Sequence, residues 1–274
     1  MPAMAANTAQ PEHPAYAAAE REITLFGLQI ADTSLDAAAR WIVQRARHKL
    51  PTSIAFLNAH CVNVAYRAPE YRAAMETMDL VFADGIGVRL AARAAGIELQ
   101  DNVNGTDLFP VLCREAAKTA TGLFLLGARE GIAKTAGERM RNATPGLVIS
   151  GTHHGYISDA DTDAHAIAEI NASGAGIVLV ALGVPTQELW IARNRHRLTA
   201  PAVIGVGGLF DYYSGRIARA PVPLRKAGLE WAWRLAQEPR RLARRYLVGN
   251  AEFMLRLAWL RLMTPAAFRQ TLAT

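Results

Sequence analysis

Six short apolar runs constrain what this chain can become. They cover 53–57, 80–83, 123–126, 147–150, 177–181 and 202–206, and each reads as a strand. Stretches with helical spacing lie between them, near 61–67, 70–77, 86–95, 107–119, 131–142, 162–172 and 186–197. Strands this apolar need cover on both faces, which a parallel sheet between two helix layers provides. The expected fold class is therefore α/β, a Rossmann-like, mostly parallel sheet sandwiched by helices. Ahead of it, 23–30 alternates around Gly27 and suits a short strand or hairpin arm. Ser34 then caps a helix that carries Leu35, Ala38, Ala39, Ile42 and Val43 at helical spacing. Pro185 suits the first turn of the helix over 186–197.

Polar residues stand directly behind two of the strands, Asn58 after 53–57 and Asp84 after 80–83. The carboxyl ends of parallel strands form the rim where ligands bind, so these two side chains are candidates to face one pocket. A carboxylate there can take a proton from an attacking hydroxyl. Both residues also suit plainer roles: Asp84 as the cap of a helix starting near 86, Asn58 as a turn former. Glycine-rich turns recur at the same rim: Gly127-Ala-Arg-Glu-Gly131, Gly183-Val-Pro-Thr-Gln187-Glu188 and Gly205-Val-Gly207-Gly208-Leu-Phe-Asp211. Glycine lets backbone approach a phosphate, and helix N-termini favour anions. None of these turns is a Walker loop, and none gives GxGxxG after the first strand, which counts against a dinucleotide oxidoreductase. Gln187 suits either a hydrogen bond to a sugar or base edge or a helix cap.

Other motifs weigh less. Asp159-Ala-Asp161-Thr-Asp163 begins like a calcium loop, but Ala164 and Ile170 occupy the positions that need Gly and Glu. A solvated helix start explains it. His153 and His154 are adjacent, which is not metal-ligand spacing on one helix face. His60 and Cys61 lie beside the proposed pocket; a buried thiol explains Cys61 better than thiol catalysis does. With two cysteines and no CxxC, neither a disulfide framework nor a zinc module is indicated, and reduced thiols in the cytoplasm are expected.

The composition changes after about Leu209. Eleven Arg or Lys between 216 and 261 face only Glu230, Glu238 and Glu252, a local net charge of +8 against +6 for the whole 274-residue chain. Interleaved are Trp231, Trp233, Tyr246, Phe253 and Trp259. A basic amphipathic helix with aromatic residues suits an anionic bilayer surface. No apolar run reaches the ~18 residues of a span, because Arg256 and Arg261 interrupt the last one. The chain thus divides into a flexible segment over 1–21, which lacks the pattern of a signal peptide, an α/β core over 22–209 and a basic helical appendage over 210–274. No nucleic-acid module is recognisable.

In order along the chain, Leu57-Asn58-Ala59, Ala83-Asp84-Gly85-Ile-Gly87, Asn104-Gly105-Thr106-Asp107-Leu108, Phe124-Leu-Leu-Gly127 and Leu182-Gly183-Val-Pro185-Thr-Gln187-Glu188 carry a resemblance, and Gly205 to Asp211, Arg219-Ala-Pro221, Gly228-Leu-Glu230-Trp231, Glu238-Pro239-Arg240-Arg241 and Arg245-Tyr246 complete it. Together they resemble the WecG/TagA/CpsF family of bacterial glycosyltransferases over about 22–255. The resemblance implies an inverting enzyme that moves a hexose from a UDP-sugar to a polyprenyl-diphosphate-linked saccharide. It implies a location on the inner face of the cell membrane, held peripherally, with homo-oligomers left open and no cofactor, metal or nucleic acid expected. It implies Asp84 as general base and Asn58 as a substrate holder. Asn104, Gly127, Gly183, Gln187, Glu188 and Gly207 are expected around the sugar nucleotide, and Arg234, Arg241 and Arg244 are expected to reach phosphates from the appendage. Some members carry Thr two residues before the Asn; here Phe56 stands there. That departure favours UDP-glucose in exopolysaccharide synthesis, with a UDP-ManNAc type next. A nucleotide-binding oxidoreductase and a non-enzymatic membrane or nucleic-acid binder are the rival readings.

Overall fold

Alternation along each strand divides the core. Ile54 and Phe56 point to one face of the sheet with Leu80, Phe82, Leu123, Leu125, Ile177 and Leu179. Ala55 and Leu57 point to the other with Val81, Ala83, Phe124, Leu126, Val178 and Val180. Both sets are buried, so two helix layers are required. The computed structural model describes residues 21–157 and 159–263 and has that sandwich.

The chain begins with an antiparallel hairpin, β1 (Arg21–Leu25) and β2 (Leu28–Asp32), followed by α1 (Leu35–Arg47). The Ser34 hydroxyl accepts from the Ala37 N–H at 3.3 Å, the cap its position predicts. Then come β3 (Thr52–Leu57), α2 (Ala59–Arg67), α3 (Pro69–Glu76), β4 (Leu80–Ala83), α4 (Gly85–Ala94) and α5 (Gly105–Lys118). The second half continues through β5 (Leu123–Gly127), α6 (Ile132–Ala143), β6 (Ile149–His153), α7 (Ala160–Ala172), β7 (Ile177–Ala181), α8 (Thr186–Asn194), β8 (Ala202–Gly205) and α9 (Leu209–Tyr213). The C-terminal part holds α10 (Val222–Lys226), α11 (Glu230–Gln237), α12 (Pro239–Ala243), a π turn over Arg244–Val248 and α13 (Gly249–Met263).

The eight strands lie in the order β1-β2-β4-β3-β8-β7-β5-β6, all parallel except the hairpin. The carboxyl ends of β3, β4, β8, β7 and β5 therefore share one rim. Helices α1, α5, α6 and α9 cover one face; α2, α3, α4, α7, α8 and α13 cover the other.

Several expectations shift. The strand expected over 147–150 lies at Ile149–His153. It is an edge strand with a register irregularity against β5, and its partly exposed residues carry no apolar signal. Pro185 stands at the N-cap of α8, one place before its first turn. Of the segment expected to be flexible, 1–20 lies outside the described residues, while Arg21 already belongs to β1 and pairs with Asp32. The boundary expected at 209 cuts a packed element: Leu209 and Phe210 are buried in the core. Asp159 does cap α7 by accepting from the Asp161 and Thr162 N–H groups. Asp163, expected to be solvated, is buried instead and accepts hydrogen bonds from Asn194, at the end of α8, and from Arg197 just beyond it.

Candidate active site

Asn58 caps α2 and reaches Asp84 with the same amide. Its Oδ1 accepts from the N–H groups of His60 and Cys61, both at 3.1 Å. With the oxygen committed to the helix end, Nδ2 faces the neighbouring strand and donates to Asp84 Oδ2 at 3.1 Å. Asp84 stands at the N-cap of α4, yet its carboxylate makes no capping bond. Asn102 Oδ1 instead accepts from the Gly85 N–H at 2.7 Å. The carboxylate of Asp84 is thus released from structural duty and directed at the rim. Burial raises its pKa above the ordinary carboxylate range, Asn58 and Arg245 oppose that rise, and Glu230 and Asp107 add to it. A carboxylate held in this way is a stronger base than one in water.

Asp84 borders a cavity of about 760 Å³. The core contributes Asn58, His60, Asn102, Asn104, Gly183, Gln187 and Gly207 to its wall, and the C-terminal helices contribute Glu230, Arg234, Arg241 and Arg245. Asn104, expected at the sugar nucleotide, also caps α5 by accepting from the Asp107 N–H at 2.8 Å. Burial first, then Arg245 and Arg67, lowers the pKa of His60 to about 4, so its imidazole is uncharged near neutral pH. Cys61 is buried, and burial pushes its thiol up to about 12, which removes a thiolate nucleophile.

Three expected residues stand apart from this wall. Gly127 is replaced on it by Ala128 and Arg129. Glu188 is 0% exposed and lies behind Gln187. Arg244 is absent from it, and Arg245 takes its place. Arg245 and Asn102 were not among the expected site residues, and His60 was expected beside the pocket without a role in binding. The Arg245-Tyr246 pair and the neighbouring Asp101-Asn102 were visible signals for the first two. Gln187, expected to contact a sugar or base, has its amide bound inside the protein.

Arg234 meets the core at Gly208. A Cβ on that glycine would lie 2.6 Å from Arg234 Nη2, so only a glycine admits the guanidinium there. The same guanidinium stacks over the Tyr212 ring at 4.8 Å. The glycine-rich turn after β8 thus serves the arginine of the appendage as well as the rim.

The appendage is docked firmly. Phe253 and Leu257 of α13 are buried in the core, with the Phe253 ring 5.7 Å from that of Phe26. Asn63 Nδ2 donates to the Gly249 carbonyl at 2.7 Å, and Arg67 pairs with Glu252. Arg219 joins Asp107 at 2.6 Å and Glu230 at 3.3 Å. The opposite side of α13 exposes Leu255, Trp259 and Leu262. Among the described residues, no helix is long and apolar enough to cross a membrane.

A strand-end carboxylate, glycine turns at the rim and five arginines from the C-terminal segment (216, 225, 234, 241 and 245) meet in one cavity, an arrangement suited to transfer from a phosphorylated donor. A family model described as glycosyl transferase WecG/TagA/CpsF matches residues 23–267. The chain belongs to this family of glycosyltransferases. A relative from Bacillus spizizenii is 36% identical over 180 residues, 66% of this chain and 69% of its own length. One from Bacillus subtilis strain 168 is 33% identical over 196 residues, 72% and 75% of the two chains. Both are named N-acetylglucosaminyldiphosphoundecaprenol N-acetyl-beta-D-mannosaminyltransferase. Membership of the WecG/TagA/CpsF family displaces the oxidoreductase and the non-enzymatic binder. The glucosyl donor and exopolysaccharide product find no support in these relatives, so Phe56 alone does not carry the choice of sugar.

Proposed function

We propose that this glycosyltransferase moves an N-acetylmannosaminyl unit from UDP to an N-acetylglucosaminyl diphosphate carried on a polyprenol, with inversion at the anomeric carbon. The observation that carries the reading is the Asn58–Asp84 hydrogen bond at 3.1 Å on a cavity wall shared with Arg234, Arg241 and Arg245. The names of both relatives supply the acceptor and the transferred sugar. Asp84 takes the proton of the acceptor hydroxyl as its oxygen attacks the anomeric carbon. The bond between that carbon and the UDP oxygen breaks, and the leaving diphosphate gathers charge. Arginine side chains suit that charge because the planar guanidinium grips two phosphate oxygens at once. Asn58 holds the carboxylate in place and, through the helix N–H groups it caps, keeps its own amide from turning. The apolar outer side of α13 rests on the cytoplasmic membrane surface, where a lipid-borne acceptor is found.

A UDP-release assay with a short polyprenyl-diphosphate GlcNAc acceptor tests the reading. UDP-ManNAc is the expected donor, and faster turnover of UDP-glucose would overturn the choice. Asp84→Asn is expected to lower turnover by about 10²–10⁴-fold. Near-normal turnover in that variant removes Asp84 as base.

A further inference from the structure

Three hydrogen bonds hold the side-chain amide of Gln187 inside the protein. Its Oε1 accepts from the N–H of Gly183 at 3.2 Å and from that of Gly207 at 2.8 Å. Its Nε2 donates to Glu188 Oε1 at 2.7 Å. Gly183 follows β7, Gly207 follows β8, and both line the cavity. One buried oxygen therefore ties two rim turns together, and it does so only while it faces them. Half a turn of the amide would exchange two groups of nearly equal size. It would set Nε2 against two N–H donors, lose both bonds and leave donors facing donors away from water.

Packing alone does not choose between these orientations, because the two ends of the amide have the same shape. Gly205 leaves just enough room beside Gln187, since a Cβ there would lie 3.0 Å from Nε2. A neighbouring acceptor does choose. The oxygen of Glu188 accepts from Nε2 and repels Oε1. Glu188 is 0% exposed and does not itself line the cavity, so it serves Gln187 and not the substrate directly. Its other oxygen, Oε2, is buried without a hydrogen-bond partner, and so is the hydroxyl of nearby Tyr71. An unpaired buried oxygen costs stability, and a residue kept only to fill space would do better apolar.

We infer that Glu188 is a positioning residue for the transfer: it locks the Gln187 amide with its oxygen toward Gly183 and Gly207, and so fixes the spacing of two turns at the donor side of the cavity. The inference rests on the proposed function for the identity of the donor, while the lock itself is a statement about the free protein.

Two measurements on the full chain separate these levels. Steady-state kinetics with UDP-ManNAc and the lipid-linked acceptor give kcat and donor KM, and hydrogen exchange reports the amides of Gly183 and Gly207 without substrate. Glu188→Leu is expected to raise donor KM at least tenfold, with a smaller change in kcat, and to speed exchange at both amides at least tenfold. Glu188→Gln, which keeps an acceptor of equal size, is expected to stay within about threefold of wild type in both readouts. Gln187→Leu should reproduce the exchange signature, and adding Glu188→Leu to it should change the signature no further. If Glu188→Leu fails to fold, Glu188→Asp withdraws the acceptor with less change of volume and should still quicken both amides. Wild-type exchange in Glu188→Leu or Glu188→Asp overturns the lock, as does a Glu188→Gln variant as impaired as the leucine one. A wild-type protein inactive on UDP-ManNAc overturns the proposed function and leaves the exchange experiment to decide the lock.

Discussion

Asp84 and Asn58 were legible as site residues because each directly follows an apolar run, and strand ends of a parallel sheet share one rim. Their bonding was not legible: which residue would cap its helix depended on Asn102, eighteen places downstream of Asp84, taking the N–H of Gly85. Burial then holds that carboxylate above its ordinary range. Turnover needs it deprotonated, so activity should fall on acidification at a higher pH than a solvent-exposed aspartate would give. Asp84→Asn should abolish that acid limb along with most of the rate, which a pH profile of kcat/KM checks. Two other groups shape stability. Glu188 is raised by burial from 4.5 to about 7. The folded state holds its proton where the unfolded state has lost it, so its contribution is full below about 4.5 and fades as pH rises through about 7. His60 is lowered from 6.5 to about 4, so its contribution is present above 6.5 and lost as pH falls through about 4. The two slopes oppose each other in the wild type. Thermal melts of Glu188→Gln should lose the decline toward neutral pH, and those of His60→Asn should lose the decline toward acid pH.

Elements were readable wherever both neighbours were present. Strands β4 and β7 are flanked on both sides and begin and end where their apolar runs do. Edge strand β6 has one neighbour, so its residues need not be apolar and its position slipped. The π turn after α12 was invisible, because its register is decided by α13 docking onto α2 and α4 rather than by local propensity. That docking depends on one aromatic side chain above others. Phe253 is 2% exposed, meets Phe26 and lies within 3.3 Å of the position a Cβ on Gly87 would take. Phe253→Ala should cost about 3–5 kcal/mol if the whole chain unfolds as one unit. If α13 opens first, limited proteolysis near 249 should appear in this variant before the core melts. Either way the cavity loses Arg245, and donor turnover should fall with the appendage. Gly208→Ala tests the neighbouring contact: its Cβ would displace the Arg234 guanidinium, so donor KM should rise while the melting temperature moves little.

The basic charge of the C-terminal segment turned out to be divided between the cavity and the outer surface. Eleven cations between 216 and 261 suggested a basic outer surface for an anionic bilayer. Arg216, Arg225, Arg234, Arg241 and Arg245 border the cavity, Arg216, Arg219 and Arg256 pair with Asp211, Asp107 and Glu252, and Lys226, Arg240, Arg244 and Arg261 are exposed. What α13 offers outward is apolar: Leu255 is 72% and Leu262 is 78% exposed, with Trp259 between them. Such a side gains by entering the apolar boundary of a bilayer, and the proposed function assigns the cavity arginines to the substrate's phosphates. The two proposed roles of the appendage fall on different elements, Arg234, Arg241 and Arg245 on α11, α12 and the π turn and the apolar residues on α13, and should come apart on mutation. Replacing Leu255, Trp259 and Leu262 with serine removes the outer side and leaves the buried Phe253 and Leu257 in place. Partition onto liposomes should then drop at least tenfold, and turnover of an acceptor presented in those liposomes should drop with it. Turnover of a water-soluble, short-chain acceptor should stay near wild type. Arg241→Ala should do the reverse, sparing partition and lowering turnover on both acceptors. If instead raising salt released the wild-type protein from anionic liposomes as readily as it releases a polybasic peptide, the arginines and not the apolar side would be holding it there.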